Sequence, residues 1–411
     1  MRSTALATAL LVPIAIAMLA TACGKSEGSD PRDAATTVSF AAAGAASTID
    51  GAAGSFDAGY DSGAAVTRDT DIAAIEPDAS GPPPLLEVQE VEATGANPKG
   101  AFLSHDEKTL FVTNFRESGK HSVSVLDADT LAPRGELVLP GSAVEAAISN
   151  DDKTIYVSDF WRHALFFIDV ATGQTLHEVK VGAHPKIVVL SPDGKSLFVA
   201  NWSSNDVTQV DVSSATVVRT MKAGKNPRGM VVTRGGVLYV ANFFSASIDV
   251  WEGVDLEKHH RIKTCTCPRH LALSPDEKTL YISCLTASQV GAMDLATEKI
   301  VRRAQVGDAP KSIGISANGR YVWSADYGVT RSISVVDTTD MTARTFPVPG
   351  MDRGSGVAVS RDGKHAYVTG WYDNHVYKVG FQGQGGHPAD ALTKLAKWRY
   401  RPHSPDPGDG P

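Results

Sequence analysis

The chain has 411 residues, a formal net charge of −7 and four cysteines, and 42% of its residues are hydrophobic. It is therefore long enough to bury a substantial core. The charge is uneven, because residues 24–84 hold 3 Lys/Arg against 10 Asp/Glu, whereas residues from 85 onward hold 35 against 36. A nearly neutral main part excludes the broad basic footprint of a general nucleic-acid-binding domain.

The N-terminus has the features of an export signal. One Arg, an apolar run over residues 5–20 and small residues before Cys23 predict a secretory signal over residues 1–22. The stretch Ala20-Thr21-Ala22-Cys23 resembles a bacterial lipobox, although Leu19 lies one position earlier than usual. The resemblance implies diacylation of Cys23 and anchoring in the bacterial cell envelope. Gly24 favours the outer membrane, facing the periplasm or the cell surface. Cleavage without lipidation is the alternative.

Residues 23–84 are predicted to be a disordered tether. After Cys23 this segment is rich in Ala, Gly, Ser and Asp, and it ends in Gly81-Pro82-Pro83-Pro84. It has too few large apolar residues to bury a core. A flexible coil of this length spans roughly 45 Å root-mean-square.

A repeated unit follows the tether. The stretch SPDGKSLFVANW over residues 191–202 has relatives elsewhere in the chain, and the Ser or Thr that opens each turn recurs about every 42 residues: Ser104, Ser149, Ser191, Thr233, Ser274, Ser316 and Ser360. Each copy contains short Val-, Ile-, Tyr- and Phe-rich strands separated by Gly, Asp, Asn and Ser turns. A period of this length with four strands per unit predicts propeller blades.

The two ends of the repeat region are predicted to share one blade. The seventh copy supplies three strands, and the alternating segment Leu86–Val91 supplies the missing fourth. Such closure removes an open sheet edge. The sequence therefore predicts an all-β, seven-bladed propeller over residues 85–382 with an N-terminal strand closing the last blade. A tail over residues 383–411 follows, with a short helix at 389–401 or a frayed or packed end.

The turn SPDGK, the strand LFVAN and a following strand that ends in Asp resemble the YVTN-type propeller repeat. The related superfamily includes the noncatalytic heavy chains of quinoprotein amine dehydrogenases, haem d1 propellers and lactonase-like enzymes. The resemblance covers about 300 residues and implies the fold. It leaves the function open, because one propeller fold hosts many unrelated activities.

Two alignment columns are expected to meet on one face of the disc. At the start of the first strands lie Lys99, Val144, Lys186, Arg228, Arg269, Lys311 and Ser355. At the end of the second strands lie Phe115, Phe160, Trp202, Phe243, Leu285, Tyr327 and Trp371. Aromatic rings beside basic groups would form a surface that binds a protein segment, a glycan or an oligonucleotide strand. The alternative is that the aromatics pack between blades, while the basic groups pair with the neighbouring column Asn114, Asp159, Asn201, Asn242 and Asp326.

Other chemistry-bearing residues should approach the mouth of the central channel. Glu145, His184, Arg228, Arg269 and His270 all lie near the starts of first strands. This set would bind a small carboxylated ligand through the arginine forks. It would also support proton transfer, with His184 or His270 as the base. The catalytic candidates are therefore His184, Glu145, Arg228 and Arg269, which resemble lactonase-like sites in residue type only.

The sequence has no other catalytic or cofactor motif, so no cofactor and no metal are expected. The leading hypothesis is a monomeric, lipid-anchored binding or scaffold propeller. One alternative is a lactonase-like small-molecule enzyme, and another is an accessory propeller subunit of a periplasmic redox enzyme.

Three cysteines fall in the fifth repeat. Hairpin register places Cys284 opposite residues 268–269, which predicts a disulfide between Cys267 and Cys284 and leaves Cys265 over. Free thiols, or a soft metal bound by the Cys-x-Cys pair with His270, are the alternatives.

Overall fold

The structure is a computed structural model that describes residues 83–116, 122–253, 255–383 and residue 391. The predicted signal peptide, the lipidated Cys23 and the tether up to residue 82 lie outside these ranges. The predicted tail also lies outside them, except for Gly383 and Ala391.

Twenty-eight strands of the described chain form seven four-stranded antiparallel sheets, numbered here in chain order. Blade one contains β2 (Pro98–Leu103), β3 (Thr109–Asn114), β4 (Val123–Asp127) and β5 (Pro133–Leu137). Blade two contains β6 (Ala143–Ile148), β7 (Thr154–Asp159), β8 (Ala164–Asp169) and β9 (Thr175–Lys180). Blade three contains β10 (Pro185–Leu190), β11 (Ser196–Asn201), β12 (Asp206–Asp211) and β13 (Thr216–Lys222). Blades four and five contain β14 (Pro227–Val232), β15 (Leu238–Asn242), β16 (Ser247–Glu252) and β17 (Lys258–Lys263); and β18 (Pro268–Leu273), β19 (Thr279–Cys284), β20 (Gln289–Asp294) and β21 (Lys299–Gln305). The last two contain β22 (Pro310–Ile315), β23 (Tyr321–Asp326), β24 (Ser332–Asp337) and β25 (Ala343–Pro347); and β26 (Gly354–Val359), β27 (His365–Gly370), β28 (His375–Phe381) and β1 (Leu86–Ala93).

Among the described residues, helix is limited to two short 3₁₀ segments and the α-helical residue Ala391. The 3₁₀ segments Phe243–Ser245 and Leu285–Ala287 follow the second strands of blades four and five. Within these described ranges, no helix has the length and apolar character needed to cross a membrane.

The N-terminal strand closes the last blade, as predicted. β1 pairs antiparallel with β28, in a register that runs from Leu86 opposite Phe381 to Ala93 opposite His375. The two ends of the repeat region are thereby joined in one sheet, which completes the ring. The prediction of an all-β, seven-bladed propeller is confirmed.

The core lies between neighbouring blades. The second strands are almost fully buried, because both of their faces pack against adjacent sheets, and this explains their near-continuous apolar sequence. One cluster, for example, joins Phe198 and Ala200 of blade three to Leu238 and Val240 of blade four.

The SPDGK turn is a local hydrogen-bonded unit on the face opposite to the starts of the first strands. Ser191 Oγ donates to the Asp193 carboxylate at 2.6 Å, and this carboxylate accepts the Lys195 N–H at 3.1 Å. The Ser196 N–H donates back to Ser191 Oγ at 2.9 Å. Gly194 has φ +72°, the left-handed conformation that glycine adopts most readily. The recurrence of this motif is therefore explained by turn chemistry.

Candidate ligand site at the channel mouth

Every first strand begins with a bulge that turns its second residue toward the central channel. In blade three, Pro185 pairs with Asn201, and the register then shifts before Val188 pairs with Val199. The shift occurs in all seven blades. A bulge re-aims the side chains beside it, and here it brings the basic column to the channel mouth.

Hydroxyl groups of the second strands hold these bulges in four blades. Thr113 Oγ1 accepts the Gly100 N–H at 2.9 Å and donates to the Val144 carbonyl of the next blade at 2.8 Å. The same position is occupied by Thr113, Ser158, Ser283 and Thr369. Sequence reasoning missed this column, although its signal is a Ser or Thr two residues before the aromatic position.

The mouth is a narrow opening that surrounds about 310 Å³ of space, part of which is open solvent. Its lining residues are Lys99, Val144, Glu145, Lys186, Ile187, Arg228, Arg269, His270, Lys311 and Ser312. The structure therefore brings all five predicted basic residues together with Glu145 and His270. The predicted base His184 is not among the lining residues.

The cations of the mouth lie over the rings of the aromatic column. Lys186 Nζ lies 4.5 Å from the Phe160 ring centre, the Arg228 guanidinium lies 4.3 Å from that of Trp202, and Lys311 Nζ lies 4.1 Å from that of Tyr327. Each of the five cations lies within 6 Å of two ring centres, which belong to two different blades. Such contacts stabilise a cation without neutralising it.

The aromatic column itself is packed between blades. Phe115, Phe160 and Trp371 belong to one buried cluster, and Trp202 and Phe243 belong to another. Tyr327 is only partly buried and packs against the first cluster. The aromatics thus support the cations from below and do not form an open surface of their own.

The polar column beside the aromatics makes its own bonds within each blade. The Asn201 amide donates to Asp206 at 2.8 Å and to Thr208 at 2.9 Å, and the Asn242 amide donates to Asp249 at 3.0 Å. Asp326 accepts hydroxyl groups from third-strand serines. These bonds connect the second strand to the third.

Burial and mutual repulsion shape the charge of the mouth. Burial lowers the pKa of Lys186 well below its ordinary value, and the four neighbouring cations lower it further. Burial raises the pKa of Glu145 to about 7, against the opposing effect of Lys99, Lys311, Arg228 and Lys186. Burial, with Arg269 adding to it, lowers the pKa of His270 to about 4. Five basic groups therefore surround one weakly acidic carboxyl and a neutral imidazole near pH 7.

A glycine makes room for the single carboxyl group. A Cβ on Gly100 would lie 2.6 Å from Glu145 Oε2, which is closer than carbon and oxygen atoms approach without displacement. Blade one therefore allows the Glu145 side chain of blade two to lie across the mouth.

His184 lies beside the mouth. Its backbone is left-handed, with φ +53°, and its ring stacks on Phe160 with centres 4.4 Å apart. His184 Nδ1 and Ser203 Oγ are 2.6 Å apart. The structure therefore separates His184 from the three other catalytic candidates, which all line the mouth.

The disulfide in blade five differs from the prediction. Cys284 is joined to Cys265, with their Cα atoms 5.8 Å apart, so the predicted pairing of Cys284 with Cys267 is wrong. Cys267 is buried, is left-handed at φ +52°, and uses its carbonyl to accept the Leu285 N–H. The hairpin register correctly brought Cys267 near Cys284, but the chain turns at this left-handed residue, and position 265 is the one that faces the end of the second strand.

The other blades show why position 265 faces Cys284. Three residues before the first strand, four blades have a glycine: Gly95, Gly182, Gly224 and Gly307. A Cβ there would clash with the Asn or Asp that ends the second strand; on Gly182, for example, it would lie 2.6 Å from the Asn201 amide. In blade five both members of this contact are cysteines, so the disulfide takes the place of a Gly–Asn contact. One of the two sulfurs of the alternative soft-metal site, that of Cys265, is thereby engaged. Within the described ranges, no group of three His, Cys, Asp or Glu side chains is arranged to hold a metal ion.

Comparisons with known proteins agree with this architecture. Residues 177–326 match the family model of the YNCE-like beta-propeller. Antigen Lp49 of Leptospira interrogans is 25% identical over 162 residues, which cover 34% of this chain and 35% of that protein. The chain thus spans about a third of the length of this curated relative.

Two solved structures share the fold. Hydrazine synthase of Kuenenia stuttgartiensis matches with a TM-score of 0.61 and 20% identity, covering 70% of this chain and 96% of that one. Virginiamycin B lyase from Staphylococcus aureus matches with a TM-score of 0.60 and 13% identity, covering 72% and 99%. At these identities the likeness concerns the fold alone. The chain is a seven-bladed β-propeller, and its residues 177–326 are similar to the YNCE-like beta-propeller family.

Proposed function

We propose that this protein is a binding module that captures anionic ligands at the mouth of its propeller channel. The observation that carries the proposal is the concentration of five cations around one carboxyl group in a single lining. These cations are partly desolvated and repel one another, as the lowered pKa of Lys186 indicates. A bound anion would relieve this repulsion, and Arg228 and Arg269 offer bidentate forks to a carboxylate or phosphate.

The aromatic column has a supporting role in this proposal. Its rings hold the cations at fixed positions between blades, so the site is organised before a ligand arrives. A preorganised site loses less entropy on binding. Replacing the aromatics would therefore disturb the fold together with the site, and the cations are the better targets for a functional test.

Titration calorimetry with citrate, succinate and inorganic phosphate tests the proposal. Arg228→Met keeps an unbranched apolar side chain over Trp202 and removes the charge, so it should weaken binding at least tenfold. Lys195→Met removes a cation from an exposed turn on the opposite face and is the matched control. Equal affinities for the wild type and Arg228→Met would reject the mouth as the anion site.

The predicted membrane anchor is part of the same proposal. The apolar run over residues 5–20 and the Cys23 motif support a lipid-anchored protein of the bacterial envelope, with the propeller at the end of a tether. Cys23→Ser should move the protein from the membrane fraction to the soluble fraction of the envelope. Continued membrane association of this variant would contradict anchoring through Cys23.

Proton transfer at the same mouth is a second candidate function. It is favoured by one observation, namely that Glu145, with a pKa near 7, lies in one lining with a neutral His270 and two arginines. A general base works best when its pKa is close to the operating pH. Purified protein would be screened against lactones and unsaturated dicarboxylates, with Glu145→Gln as the test variant. Turnover that persists in Glu145→Gln would remove this candidate.

A further inference from the structure

Trp161 is an exposed aromatic residue that directly follows Phe160, at the mouth-side end of its blade. Its side chain is 56% exposed. Its ring stands perpendicular to the Phe160 ring, with centres 4.7 Å apart, and perpendicular to the His184 ring at 5.5 Å. More than half of the indole is therefore open to solvent, while its remaining surface contacts the rings of Phe160 and His184.

Packing does not account for Trp161 as it accounts for its counterparts. The equivalent aromatics of blades four and seven, Phe244 and Tyr372, are half-buried and pack against the aromatic clusters beneath the mouth. Trp161 belongs to none of the buried clusters of the described chain. Its indole rests instead on Phe160 and the imidazole of His184.

The support beneath Trp161 is fixed by stacking and hydrogen bonds, and its imidazole favours the uncharged form. His184 stacks on Phe160, lies 2.6 Å from Ser203 Oγ through its Nδ1, and donates its backbone N–H to His163 Nδ1 at 2.9 Å. Burial lowers the pKa of His184, and His163 and Lys186 lower it further. The patch is therefore a neutral aromatic surface next to a strongly cationic one.

The two surfaces are close enough for one small molecule to contact both. Lys186 Nζ lies 4.5 Å from the Phe160 ring centre, and the Trp161 ring centre lies 4.7 Å from the same point. The ammonium and the indole are thus no more than about 9 Å apart, by addition of these two distances. A carboxylate oxygen bonded to Nζ would lie roughly 3 Å from it, and a ring in contact with the indole would lie roughly 4 Å from that ring. One small molecule can therefore span the distance between the two groups.

We propose that Trp161 and His184 form a stacking subsite beside the cationic mouth, and that the ligand is a small aromatic carboxylate whose acid group enters the mouth. This inference rests on the proposed anion-binding function and adds the class of ligand to it. An aromatic ring prefers an offset or edge-to-face arrangement with its neighbours, and the perpendicular indole presents both a face and an edge. The charge of the mouth accounts for the carboxylate.

Calorimetry with phenylacetate and cyclohexylacetate tests the subsite, because the two acids share a carboxylate and differ in ring character. We expect the wild type to bind phenylacetate more tightly. Trp161→Ala should weaken phenylacetate binding about three- to tenfold and leave cyclohexylacetate nearly unchanged, and Trp161→Phe should restore most of the loss. Galacturonate serves as a carboxylated ring without aromatic character.

The outcomes separate this inference from the proposed function. If Arg228→Met weakens both acids while Trp161→Ala affects neither, or affects both equally, the anion site stands and the aromatic subsite is wrong. If Trp161→Ala weakens galacturonate as much as phenylacetate, the ligand class is wrong. If neither variant changes binding of any of the three acids, the proposed function and the subsite fail together.

Discussion

The two faces of the disc use charged residues in opposite ways. On the turn face, charges act singly: in the Ser191–Asp193–Lys195 turn the hydrogen bond from Ser191 lowers the pKa of Asp193. Other turn-face charges form single pairs with the turn of the next blade, as His105 does with Asp152 and Arg234 does with Glu277. On the mouth face, cations from five blades meet over aromatic rings and share one lining. The turn face therefore distributes its charges over separate turns and pairs, whereas the mouth face gathers five cations in one lining.

The difference indicates which changes remain local and which spread between blades. The Asp193 carboxylate bonds within its own turn, so its loss should affect mainly one blade. A mouth residue contacts two blades at once, so its loss should weaken the ring and the site together. Three predictions test this contrast.

The largest effect is expected for Trp371→Ala. This side chain is 1% exposed, lies 5.7 Å from the Phe115 ring centre and supports Lys99 and Lys311. Removing a buried tryptophan should lower the free energy of unfolding by about 3–5 kcal/mol, measured by chemical denaturation.

Two control substitutions test whether a stability loss of this size is specific to the packed mouth face. Asp193→Ala, on the turn face, should cost about 1 kcal/mol and leave anion binding unchanged. Trp161→Ala is the matched tryptophan control and should change stability by less than about 0.5 kcal/mol. Equal losses for the two tryptophans would contradict the packing role of Trp371.

A somewhat smaller effect is expected from reduction of the Cys265–Cys284 disulfide. The bond closes a loop with a sequence separation of 19, for which loss of unfolded-chain entropy gives about 3 kcal/mol. Reductant should therefore lower the melting temperature of the wild type more than that of Cys265→Ser. Free alkylation of both cysteines in the unreduced protein would contradict the linkage.

Restoring the pattern of the other blades sharpens this test. In those blades the second-strand Asn donates to a third-strand side chain such as Thr208, but blade five has Gly291 at that position. Cys265→Gly with Cys284→Asn should thus leave a buried amide without its partner. Adding Gly291→Ser should recover about 1–2 kcal/mol. No gain from the third substitution would show that the disulfide does not replace this hydrogen-bonded contact.

The smallest effect concerns the pH dependence of anion binding. Glu145 has a pKa raised to about 7, so it is mostly protonated at pH 6 and mostly ionised at pH 8. Affinity for succinate should rise as the pH falls across this range, because the competing negative charge disappears. Glu145→Gln should bind with little pH dependence and should gain up to about tenfold in affinity at pH 8, which is about 1.4 kcal/mol.

The same group gives a stability signature of defined sign. A carboxyl whose pKa is raised by folding contributes stability that is present below its unfolded pKa near 4.5 and is lost as the pH rises through about 7. Glu145→Gln should therefore gain stability relative to the wild type at pH 8 and not at pH 4. A variant whose advantage is independent of pH would contradict the raised pKa.

Much of the fold was predictable because each blade is encoded locally. The turn opened by Ser191, the strand over residues 196–201 and the seven-fold period follow from turn chemistry and strand propensity, which act over short distances in sequence. Closure by Leu86–Ala93 was predictable for a related reason, since an alternating segment at the start fits a blade that lacks one strand at the end.

The candidate site was predictable only in part. The columns containing Lys186 and Trp202 were visible in the alignment, but the burial of the rings beneath the cations was not, because it depends on the neighbouring blade. His184 lies outside the lining, since the left-handed residue before a first strand turns its side chain onto Phe160. The pairing of Cys265 could also have been predicted from the sequence, because four other blades have a glycine at the equivalent position.

The sequence by itself determined the number of blades, the order of the strands, the turn chemistry and the types of residue that reach each face, because these depend on short-range patterns repeated seven times. Only the tertiary structure decided which cations share one lining, how Glu145 acquires its raised pKa, which cysteine joins Cys284 and why Trp161 remains exposed. The shared lining and the pKa of Glu145 depend on contacts between blades, the position of Trp161 depends on two neighbouring blades, and the disulfide depends on the left-handed turn at Cys267 within blade five. Contacts of these kinds exist only after the strands have folded into blades and the blades have packed against one another.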